Sequence, residues 1–169
     1  FFLSSDAITH TYKNTKKMTQ IVGEVPSDEL DTFFSISSTI GAYIVFPSRR
    51  IKNKMTINGA RGVNNKIQDR FDLTLECIRY FYKDEVSPLS DPLQRYATFF
   101  HLFQDFRGYV DFFLLQDLVE EDYSSVRFFL PFSGFGQPPL PSTVDEYMIY
   151  KDNIMNFVAA RNQRIRKLF

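Results

Sequence analysis

A single cysteine, Cys77, is all the thiol chemistry this 169-residue chain possesses. It cannot form an internal disulfide, and one cysteine offers no metal-ligand spacing, so a reducing, cytoplasmic setting is expected. Histidine is nearly as scarce: His10 and His101 are the only two, and neither is spaced from Cys77 as a nucleophile pair would suggest. His101 is expected on a helix surface, and Cys77 as a small core residue. Tryptophan is absent. Apolar stretches such as Phe112-Phe113-Leu114-Leu115 fall far short of the roughly 20 residues that span a bilayer, and the start has no signal-peptide layout. A membrane is therefore not an expected partner. Net charge is missing too, with 20 Lys+Arg against 20 Asp+Glu, which removes bulk attraction to nucleic acid as a default.

What the chain does have is aromatic mass: 19 Phe and 9 Tyr, enough for a core built largely from rings. Its length suits one domain over residues 1–169 with a substantial interior. It opens on Phe1-Phe2-Leu3 without methionine, so a preceding segment is expected to be absent. Charge is uneven along the chain. Residues 1–83 carry 12 Lys/Arg against 8 Asp/Glu, and residues 84–169 carry 8 against 12. An anion-binding face belongs in the first half, or on the basic tail Arg161, Arg164, Arg166 and Lys167.

Local patterns predict an α+β fold, with three to four helices packed on a small, mainly antiparallel sheet. Phe1 to Leu3 reads as the end of a strand. Lys13 to Lys17 reads as a solvated basic stretch, and Pro26-Ser27-Asp28-Glu29 as a helix start with acidic residues in the first turn. Ile40 to Phe46 reads as a strand paired in a hairpin with Met55-Thr56-Ile57. Ile67, Phe71, Leu75, Ile78 and Tyr82 recur at helical spacing, predicting a helix over 66–83 capped by Asn65, with one core-facing stripe. Two further helices are predicted, over 93–103 and from Phe106 through Asp117. Val126 to Leu130 reads as a strand, and Ser133 to Ser142, with two Gly and three Pro, as an irregular loop. Thr143-Val144-Asp145-Glu146 is a capping box opening a last helix with a stripe from Tyr147 to Leu168.

Three polar groups are candidates for chemistry. Ser48 to Gln68 holds six basic residues and no acidic one; with Gly59 and Gly62 relaxing the backbone before a helix start, Asn58, Arg61 and Lys66 would contact phosphate. The plain alternative is a solvated hairpin tip. Asp69, Asp72, Glu76 and Arg79 follow at steps of three, four and three, which lines one helix face with carboxylates able to hold a cation or act as an acid/base pair. The alternative is an exposed face with a Glu76–Arg79 or Asp69–Arg70 pair. Finally, Asp105, Arg107, Asp111, Gln116 and Asp117 interrupt the most apolar region, where charges need partners. Arg107 with Asp111 is the local pairing; Arg70 or Arg79 reaching Asp111 or Asp117 is the long-range one.

The stretches Phe1 to Asp6, Thr56 to Gly62, Asp69 to Arg79, Asp105 to Val119, Phe128 to Phe132 and Ala159-Ala160-Arg161-Asn162 together resemble an uncharacterised bacterial family known only as a domain of unknown function. The resemblance implies a soluble bacterial protein with further sequence before Phe1. It implies no activity, cofactor or catalytic residue. Two functions are therefore expected as alternatives. One is a site for a phosphate-bearing ligand, a nucleotide or RNA, at the junction of the basic loop and the acidic face, with Asp69, Asp72 and Glu76 as catalytic candidates and Arg70, Arg107, Asp111 and Asp117 completing the binding set. The other is a non-enzymatic interaction or regulatory module, antitoxin-like or an accessory of phage defence, that binds a protein partner or a second copy of itself.

Overall fold

The computed structural model describes residues 1–9 and 16–169; His10 and residues 13–15 of the expected basic stretch lie outside the described residues. Strand β1 (Leu3–Ala7) runs antiparallel to β2 (Tyr43–Pro47), with Leu3 opposite Pro47 and Ala7 opposite Tyr43. Alternation turns Ile44 and Phe46 into the core and leaves Leu3 and Tyr43 on an outer face open to solvent. The expected partner of β2, Met55 to Ile57, is not a strand. The Thr56 hydroxyl accepts from the Gly59 amide at 3.2 Å and starts a helix, so capping chemistry prevails over β-propensity there.

Among the described residues there are eight α-helices, rather than three or four: α1 (Lys16–Gly23), α2 (Ser27–Ser37), α3 (Ile57–Val63), α4 (Phe71–Phe81), α5 (Ser90–Arg95), α6 (Ala97–Phe100), α7 (Phe106–Phe112) and α8 (Val144–Arg166). The architecture is α+β with one small antiparallel pair of strands. Helix α2 begins where its acidic first turn predicts. Helix α4 begins later than its apolar spacing suggests, because Gln68 and Asp69 adopt φ of +47° and +66° and Arg70 is extended. It also buries far more than a stripe: every residue from Phe71 to Ile78 is buried, so α4 is the central rod of the molecule.

The two long helices expected between residues 93 and 117 are broken into short ones. Tyr96 separates α5 from α6, and Gln104 and Leu114 carry φ of +70° and +55° on either side of α7. These reversals fold an aromatic-rich stretch back on itself, so Phe99, Phe100, Phe103, Tyr109 and Phe113 meet as one ring cluster. Residues 126–130 form no regular strand, only an isolated bridge between Val126 and Val119. Helix α8 starts as its capping box predicts, the Thr143 hydroxyl accepting from the Glu146 amide at 3.1 Å while the Glu146 carboxylate accepts from the Ser142 amide and hydroxyl. Its buried stripe runs through Tyr147, Tyr150, Ile154, Phe157, Val158 and Arg161 and packs on α1 and α2. The stripe stops there, since Leu168 lies beyond the helix and is exposed. No helix among the described residues is long and apolar enough to cross a membrane.

Candidate functional site

The segment expected to be a basic glycine loop is helix α3, and this decides what Arg61 can do. Ile57 and Arg61 are one turn apart on its buried face. The Arg61 side chain is fully buried and its donors are engaged: Nη1 pairs with the carboxylates of Asp6 and Asp69, the latter at 2.8 Å, Nη2 donates to the Asp69 carbonyl at 2.5 Å, and Nε donates to Thr74 Oγ1 at 3.1 Å. The positive φ of Asp69 turns both its carbonyl and its carboxylate onto the same guanidinium. One cation thus faces two carboxylates, which would repel an arriving phosphate, and joins β1, α3 and the turn before α4. Asn58 donates to Ser4 Oγ at 3.3 Å on the same helix, and Lys66 is exposed.

Arg70 forms the second junction. Its Nε and Nη2 fork onto Asp72 at 3.1 and 2.5 Å, and Nη1 donates to the Pro139 carbonyl at 2.7 Å. Asp72 Oδ2 also accepts from the Phe129 amide at 2.9 Å. The pair therefore pins the irregular 131–143 segment and residue 129 to the start of α4. Further along, Glu76 and Arg79 form a bidentate pair at 2.7 and 2.8 Å. The face expected to be either exposed or catalytic is buried and internally neutralised: Asp72 and Glu76 are buried, and Asp69 belongs to the preceding turn. Among the described residues no group of three His, Cys, Asp or Glu is placed to hold a metal ion.

The Asp105 to Asp117 segment joins neither cluster. Asp105 caps α7, accepting from the Gly108 amide at 2.8 Å. Arg107 and Asp111 meet through Tyr123, whose ring lies 4.4 Å from the Arg107 guanidinium and whose hydroxyl donates to Asp111 at 2.6 Å; Gln116 also donates to Asp111, at 2.9 Å. Asp117 takes a bidentate contact from Arg164 at 2.6 and 3.0 Å, which holds its carboxyl below the usual range. With Glu120 and Arg127, themselves paired at 3.2 Å, it lines a polar cleft of about 270 Å³. The Arg61 and Arg70 groups adjoin at the turn into α4, where Thr74 Oγ1 accepts from Arg61 and donates to the Arg70 carbonyl, whereas the Asp111 group is tied to Tyr123 and Gln116 instead.

Two buried cations lie on α8: Lys151, which is not among the sequence candidates, and Arg161, expected as part of a basic tail. Lys151 donates to Glu29 at 2.8 Å and Asp152 at 2.6 Å. Arg161, read from the sequence as both stripe and basic tail, is buried, and its partners are backbone carbonyls: Phe113 at 3.0 Å, Gly41 at 2.9 Å and Tyr43 at 2.6 Å. Stripe spacing alone places both residues on or beside the buried face of α8. Cys77 is fully buried, with burial pushing its thiol up to about 12, and His101 is exposed, both as expected.

The surface holds a different feature. Phe1, Phe112 and Leu102 are 70%, 68% and 61% exposed. Phe1 and Phe112 are joined through rings, because Phe1 stacks edge-on against Phe99 at 5.7 Å, Phe99 meets Phe103 at 5.3 Å, and Phe103 meets Phe112 at 5.0 Å; Leu102 precedes Phe103 in the chain. The outer face of the sheet, with Leu3 and Tyr43 exposed, adjoins Phe1 along β1. A family model described as a family of unknown function, DUF6994, matches residues 1–165. Neither a search of curated proteins nor one of solved structures returned a match.

Proposed function

Because the chain belongs to the DUF6994 family, which brings no activity with it, the reading rests on the residues themselves, and we propose that this is a non-enzymatic interaction module that docks a protein partner on the ring-linked surface of Phe1, Leu3, Tyr43, Leu102 and Phe112. The observation that carries the reading is that exposed Phe1 and Phe112 continue outward from one ring cluster, with exposed Leu3 and Leu102 close to them in the chain and Tyr43 on the same sheet face as Leu3. Rings anchored from beneath lose little conformational freedom on binding, and aromatic side chains dominate the centres of interfaces. The phosphate-ligand reading has less support, since Arg61 and Arg70 spend their donors on Asp6, Asp69, Asp72 and backbone carbonyls.

Photo-crosslinking from position 112 in the cells that make the protein tests the reading, with position 86 as control because Val86 is exposed and is not part of that surface. The expected result is one discrete partner crosslinked from 112 and none from 86. Equal, diffuse crosslinking from both positions would contradict it.

A further inference from the structure

Arg161 is the one buried arginine among the described residues whose guanidinium meets no carboxylate. Arg61 has Asp6 and Asp69, Arg70 has Asp72, and buried Lys151 has Glu29 and Asp152. Arg161 has the carbonyls of Gly41, Tyr43 and Phe113. Residues 10–15 contain no Asp or Glu either. Burial lowers its pKa to about 10, which leaves it charged at neutral pH, and the other group it senses is the Tyr109 phenol, whose hydroxyl is buried without a hydrogen-bond partner among the described residues. Carbonyl dipoles satisfy N–H groups but leave a whole positive charge uncompensated, at a cost of several kcal/mol in an apolar setting.

The position of that charge gives it meaning. Tyr43 is at the start of β2 and Phe113 just after α7, so one guanidinium bridges the two elements that carry exposed Tyr43 and Phe112. The uncompensated cation lies between the start of β2 and the end of α7, and Arg161 retains 6% of its exposure. Resting on the interaction reading above, we infer that the partner segment carries an Asp or Glu side chain flanked on both sides by apolar residues, its carboxylate meeting Arg161 while the flanks cover Tyr43 and Phe112. Each of the two elements that the cation joins carries an exposed aromatic residue, so a segment that runs past its acid can reach both, whereas a chain terminus reaches one. The carboxylate would supply the charge that the interior lacks, and a charge-assisted contact of this kind is among the stronger ones available to an interface.

Panning a random-peptide display library on the wild-type chain and on Phe112→Ser tests this, followed by binding of a selected synthetic peptide in its acidic form and with the acid replaced by Asn or Gln. The expected result is enrichment of apolar-acid-apolar sequences on wild type, their loss on Phe112→Ser, and at least about tenfold weaker binding of the amide peptide. Peptides that need Phe112 yet bind equally well as amides would overturn the carboxylate inference and leave the docking reading standing. Peptides recognised only through a free C-terminal carboxylate would overturn it as well. No enrichment that depends on Phe112, or binding of anionic lipid vesicles in place of any peptide, would overturn both. The amide swap is made on the peptide, so the test does not require a folded Arg161 variant.

Discussion

Arginine in this protein divides by its partner, and the division can be measured. Arg61→Ala would leave Asp6 and Asp69 facing each other across an empty buried space, so it should destabilise the fold by about 3–5 kcal/mol. Chemical denaturation checks this: an unchanged midpoint would mean that Arg61 is held for a ligand instead of for the fold. At Cys77 the expected effect is on pH dependence. Its thiol ordinarily ionises near 9.0, and burial raises that to about 12 in the folded chain. Below about pH 9 its contribution to stability is intact. As pH rises beyond that, the unfolded thiol releases its proton while the folded one keeps it, and stability falls. Half-buried Tyr82 and buried Tyr109 and Tyr147 add the same trend above their ordinary value of 10.0. Cys77→Ala should therefore melt with a shallower decline than wild type between about pH 9 and pH 10; parallel declines would refute this assignment.

At the scale of the element, the breaks matter as much as the helices. Helix α7 is held against the preceding turn by Gly108, where a Cβ would lie 2.0 Å from the Phe103 carbonyl oxygen. Gly108→Ala should cost about 3 kcal/mol or more through enforced displacement of backbone, seen as a lowered midpoint and loosened near-ultraviolet signal from the ring cluster. A variant as stable as wild type would mean that the turn at Gln104 moves freely. Caps were legible in the sequence: Thr143 for α8 and the acidic turn of α2 stand where their side-chain chemistry puts them. The breaks were not. Gln68, Asp69, Gln104 and Leu114 take positive φ without being glycine; Asp69 meets Arg61 from there, a contact that no local pattern announces. The 56–62 segment, read as a loop for its glycines, is a helix started by the Thr56 cap.

For the whole molecule, the spacing of the polar residues was legible in the sequence but their burial was not. Asp72, Glu76, Arg61 and Arg70 are spaced as a catalytic or anion site would be, and equally as the neutralised interior of a helix buried on all sides; only burial of the entire Phe71 to Ile78 run distinguishes the two. The surface aromatics were legible merely as surplus. Their continuity depends on the start of β1 and on α7, far apart in sequence, meeting at Phe99 and Phe103. The molecule thus combines an interior in which Arg61, Arg70 and Lys151 meet carboxylates and Arg161 does not with an apolar patch that continues from its own ring cluster. Partner retention by Phe112→Ser, with its melting temperature recorded on the same sample, tests that arrangement most directly. The account predicts a lost partner at an unchanged melting temperature; full retention of the partner by a normally folded Phe112→Ser would contradict it.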